Sequence, residues 1–225
     1  MKSGWCSCDK TREQVKVKTM WSNYDNVKNQ MQDEFLKYDL KQIAQRFGLS
    51  IDDDYLYLRF LGSDCRIDIK TGAVECSHFG EFRAADYNEA MTVYDLLCYS
   101  EPDAAPSGQY VNMRSLSGIL SAASAPDSQK YYNKGKNRFD HKEKALARAL
   151  EQVGGKAAGD GDVSAVIEVF NGLNMVFRFW NSDEDFEPDI QFLWDRNVLK
   201  YMHYETVWFV NSALLARINE HFDAE

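Results

Sequence analysis

Asp195, His203 and Glu205 stand close together where a strand-like run, Ile190 to Asp195, gives way to a closing helix. A strand end and a helix start can bring such residues together, and a carboxylate–imidazole pair is what general-base chemistry needs. The same arrangement also serves simply to cap or pack a turn. The other histidines, His78, His141 and His221, are far apart with no metal-ligand spacing. His141 and His221 are expected on solvated helix surfaces. No nucleophile elbow, phosphate loop, His-Glu-x-x-His or dinucleotide fingerprint is present.

A second kind of chemistry is suggested by charge. The chain is acidic, with 26 Lys and Arg against 35 Asp and Glu and a net charge of −9. Yet Lys130, Lys134, Lys136 and Arg138 open a basic run that continues through Lys142, Lys144 and Arg148. An anion there would meet the side chains and the free amides of the helix that follows. The bland alternative is a solvated connector. The acidic balance argues against nucleic acid, because phosphate binding needs clustered cations.

Asp183 to Asp189 is a run of carboxylates that lacks calcium-loop spacing and its turn glycine. It reads as a solvated acidic loop, with Phe186 and Pro188 anchoring it to the body. Cys6 and Cys8 form a C-x-C pair that can offer two thiolates to a metal, but such sites usually want four ligands. Five cysteines at irregular spacings predict no disulfide framework, and Cys65, Cys76 and Cys98 read as small hydrophobes. No cofactor is expected.

The elements that must position these groups follow from periodicity. Residues 1–22 read as a weakly ordered tail, and 23–225 as one domain. Tyr24, Val27, Met31 and Phe35 mark a helix face. Asp39 with Gln42, Asp86 with Glu89 and Asp140 with Glu143 carry capping-box spacing at three further helix starts. Between them Tyr55–Phe60, Cys65–Ile69 and Val74–Cys76 alternate with period two, an antiparallel meander with one face buried. Later, Asn171-Gly172 joins two alternating runs. A type I′ turn needs positive φ at both central positions, and this pair supplies it. The predicted fold is α+β: antiparallel hairpins or a meander, about five helices packed on one side, one domain. Whether the strand groups share one sheet stays open.

No apolar run approaches the ~20 residues a spanning helix needs. With an N-terminus lacking a signal-like apolar core, cytoplasmic residence is the expectation, away from membranes.

Several landmarks in order carry a resemblance: Arg59-Phe-Leu-Gly62, Thr71-Gly-Ala-Val74, Gly154-Gly155, Phe186-Glu-Pro188 and Gln191-Phe-Leu-Trp-Asp195. Their order and spacing are similar to the "domain of unknown function 3786" family of mostly anaerobic bacteria and archaea. The resemblance implies a fold unit and supplies no catalytic residues. Some relatives carry an N-terminal cysteine cluster suggestive of iron–sulfur binding, of which Cys6 and Cys8 are at most a remnant.

Two functional classes remain. The preferred one is a non-catalytic binding or accessory module for a protein or a small anionic ligand. The alternative is an enzyme with an unrecognised site near Asp195, His203 and Glu205.

Overall fold

The structure, a computed structural model, describes residues 23–116 and 136–224. Cys6, Cys8, Lys130 and Lys134 lie outside the described residues.

Two helices, α1 (Asn23–Phe35) and α2 (Leu40–Phe47), lead into the first sheet. Asp39 accepts from the amides of Lys41 and Gln42 at the start of α2, and Gly48 closes that helix in the left-handed conformation. The first sheet is antiparallel in the order β1-β2-β3-β4-β5. Its strands are β1 (Ser50–Ile51), β2 (Tyr55–Phe60), β3 (Ser63–Asp68), β4 (Val74–His78) and β5 (Glu81–Ala84). Helix α3 (Tyr87–Tyr99) follows with the full capping box, Asp86 and Glu89 each bonding the other's backbone amide.

The second sheet is also antiparallel and has the order β6-β10-β9-β8-β7. It consists of β6 (Tyr110–Asn112), β7 (Lys156–Ala157), β8 (Val163–Phe170), β9 (Leu173–Trp180) and β10 (Asp189–Asp195). Helix α4 (Glu143–Gln152) precedes β7, and α5 (Tyr204–Asp223) closes the chain. The protein is thus a single α+β domain with two five-stranded sheets and, among the described residues, five helices.

One core joins both sheets. Leu56, Phe60, Ile67 and Cys76 from the first, and Ile167, Phe177, Phe179 and Trp194 from the second, are fully buried in it with Val210 and Leu214 of α5. Where the sheets meet, the β2–β3 turn is tied to β8. The Leu61 amide donates to Val169 O at 3.1 Å, beside an irregularity in β8 between Glu168 and Phe170. Gly62 adopts φ +73°, and a Cβ there would lie 2.4 Å from Val153 O. Only glycine allows that approach. Asn171 and Gly172 both have positive φ, 47° and 84°, as the type I′ turn requires.

Three expectations change. Cys65 and Cys76 are bonded to each other: the β3–β4 register sets them directly opposite, a relation their irregular spacing conceals. Asp140 does not cap α4. Lys142 holds the cap position without a side-chain bond, and Asp140 is drawn away to Ser182. Phe186 does not anchor the acidic loop, since its side chain is 72% exposed. That loop is held instead by the amides and side chains of Asn181 and Ser182.

Candidate binding site

The β9–β10 connection, Asn181 to Pro188, forms one wall of a pocket of about 900 Å³. Asn181 is a hub. Its amide donates to Asp162 at 2.7 Å and its Nδ2 to Glu143 at 2.6 Å, while its Oδ1 accepts from the amide of His141 at 2.7 Å. Ser182 then donates both its amide and its hydroxyl to Asp140, at 2.8 and 2.7 Å. These bonds hold the Asp140 carboxyl below its usual range. His141 takes φ +54°, uncommon for a residue with a Cβ, to meet this loop. Asp183 finishes the turn by accepting from the amides of Asp185 and Phe186.

The pocket so framed is walled by Trp180, Phe186 and Pro188, with Asp162, Asp183, Glu187 and Asp189 around them. Trp180 is half-buried and Phe186 exposed. Aromatic faces carry negative quadrupoles, so rings and carboxylates here favour the same sign of charge. Lys136 also lines the pocket.

Of the basic run, Lys136 thus shares this pocket with the carboxylates. Arg138 is engaged elsewhere: it pairs with Asp223 and lies over the Phe222 ring.

Asp195, His203 and Glu205 are not linked by hydrogen bonds. Asp195 is buried and accepts from the amides of Ser107, Gly108 and Asn197 and from the Ser107 hydroxyl. Burial pushes its pKa up, but these donors outweigh burial and hold it below the ordinary range. His203 finds a different carboxylate, 108 positions away: Nδ1 donates to Asp95 Oδ1 at 2.7 Å and its amide to Asp95 Oδ2 at 2.8 Å. The Tyr99 ring lies against the imidazole, centroids 3.8 Å apart. Glu205 sits exposed in the first turn of α5.

A family model described as "Domain of unknown function (DUF3786)" matches residues 39–217. The chain belongs to that family. No curated protein and no solved structure matches it. The DUF3786 span runs from the cap of α2 to Arg217 in α5, so it takes in both sheets and the loop that walls the pocket.

Arg217, at the end of the DUF3786 span, is the centre of a charge cluster that sequence reasoning missed. It is 2% exposed and pairs with Glu89, 4% exposed, through Nε at 3.1 Å and Nη2 at 2.7 Å. Its Nη1 donates to the carbonyls of Phe60 and Leu61, which clamps the β2–β3 turn to α3 and α5. His78 lies between two carboxylates: Nδ1 donates to Glu220 at 2.9 Å, and Nε2 is 3.4 Å from Glu89 without forming a hydrogen bond. Burial pushes Glu220 up, but bonds from His78 and Arg83 prevail and lower its pKa. A Glu inside a capping box and an Arg in an apolar helix were the visible signals. Neither says that they meet.

Proposed function

We propose that this protein is a non-catalytic binding module whose pocket below the acidic β9–β10 loop takes a cationic segment of a partner protein. The observation that carries this reading is the joint lining of that pocket by Trp180, exposed Phe186 and four carboxylates. Lys and Arg side chains bring both a charge for the carboxylates and a cation for the rings. A small anionic ligand, the other partner the sequence admits, would find Lys136 but also all four carboxylates. Cytoplasmic residence is part of the reading. The oxidation state of Cys65 and Cys76 in freshly lysed cells bears on it, because the cytosol generally keeps thiols reduced.

The test is titration with a Lys/Arg-rich peptide and a Glu-rich control of equal length, followed by calorimetry. The basic peptide is expected to bind, more weakly at high salt, and Phe186→Ala with Asp183→Asn should abolish binding. Equal binding of the acidic control would overturn the reading.

One observation favours the enzymatic alternative. Asp95 holds Nδ1 of His203 and leaves Nε2 for an outside group, on a side chain 56% exposed. That is the orientation a general base needs. A panel of activated esters checks it: turnover that disappears in His203→Gln would support the base, and turnover unaffected by that change would dismiss it.

A further inference from the structure

Strand β5 is an edge of the first sheet, paired on one side only with β4. All four of its residues are exposed. The other edge strands among the described residues are shorter, two residues in β1 and β7 and three in β6. The phase of β5 is set by the Ala85 amide, which donates to Val74 O at 2.9 Å. Because bonding alternates along an antiparallel pair, Phe82 and Ala84 direct their amides and carbonyls away from β4. An open edge of this kind is a template for another strand.

Two exposed aromatics lie on the same hairpin. Phe79 at its tip is 64% exposed and Phe82 in the strand 40%. Glu81 and Arg83 flank Phe82 on the opposite face of the strand. Natural edges are often protected by like charges that repel a second copy. Here the two charges are opposite and two residues apart, which is self-complementary under antiparallel pairing.

We propose that β5 pairs with β5 of a second copy of this chain about a two-fold axis through Phe82. In that register each Phe82 exchanges both backbone hydrogen bonds with the other Phe82, and each Glu81 stands opposite an Arg83. The contact is isologous, so it closes at a dimer. Arg83 can serve it while keeping its inner partner: its bond to Glu220 runs through Nη2, and 52% of the side chain remains exposed. The two first sheets then become one continuous ten-stranded sheet, with the Phe82 rings side by side.

Sedimentation equilibrium of the full chain from low to high micromolar concentration tests this. The parent is expected to show a concentration-dependent monomer–dimer equilibrium. Glu81→Arg, which sets cation against cation, should raise the dimer Kd by roughly tenfold or more. Phe82→Pro removes the central outward donor without breaking the β4 ladder and should leave only monomer. The swap Glu81→Arg with Arg83→Glu should recover dimer, and unchanged circular dichroism verifies that each variant is folded. A parent that stays monomeric throughout, or variants that dimerise as tightly as the parent, would overturn the proposal.

Discussion

His78 and His203 present the same chemical pair, imidazole and carboxylate, in opposite surroundings. The His78 side chain is 9% exposed and wedged between Glu89 and Glu220, beside the fully enclosed Arg217. His203 is 56% exposed and rests on Asp95 at the mouth of α5. Burial separates their roles. In the enclosed cluster every charge depends on its neighbours, because an unpaired ion away from water is costly. At His203 solvent stands in for a lost partner, so the pair adds little to the fold. A carboxylate–imidazole pair is thus part of a structural lock or a weak surface contact according to exposure, and the sequence around each does not tell them apart.

The sharpest way to break this comparison is Arg217→Met. It strands Glu89 and frees two buried carbonyls, and should destabilise the protein by about 3–5 kcal/mol in urea unfolding. Adding Glu89→Met should recover much of that. A loss below about 1 kcal/mol would mean that the cluster is not a lock.

Breaking the Cys65–Cys76 bond with Cys65→Ala and Cys76→Ala should cost roughly 2–3 kcal/mol, since the crosslink closes only a short loop. Identical melting temperatures for the parent with and without reductant would contradict it.

Asp195 is an intermediate case, buried but bonded to backbone amides rather than to a cation. Its folded pKa lies below the unfolded value. Its contribution is therefore complete above the ordinary carboxylate range and is lost as pH falls through the depressed folded value. Asp195→Asn should cost about 1–3 kcal/mol at neutral pH. It should also flatten the acid limb of a stability-versus-pH curve, and a curve of unchanged shape would show that Asp195 contributes nothing there.

The smallest effect is expected at the exposed pair. His203→Gln should change stability by less than about 1 kcal/mol. A larger loss, approaching that of Arg217→Met, would erase the distinction between the two sites.

Local features were legible. Asp39 and Asp86 cap where their spacing predicts, Asn171-Gly172 turns as predicted, and the period-two runs are strands. The candidate site was less so. His203 was recognised as a paired histidine, but its carboxylate is Asp95 and not Asp195 or Glu205. The acidic loop was seen as a charge run, while the aromatic pocket it walls depends on Asn181 and Ser182 reaching Asp140, Glu143 and Asp162.

The sequence by itself determined the class, α+β, and most helix and strand positions, because caps, turns and periodicity act between residues a few positions apart. Only the tertiary structure decided that the strands form two sheets, that Cys65 faces Cys76, and that Arg217 meets Glu89 across 128 positions. Such pairs depend on strand register and on how α3 and α5 pack across the junction. Those choices are settled by burying one shared core, a sum over many side chains that no short motif records.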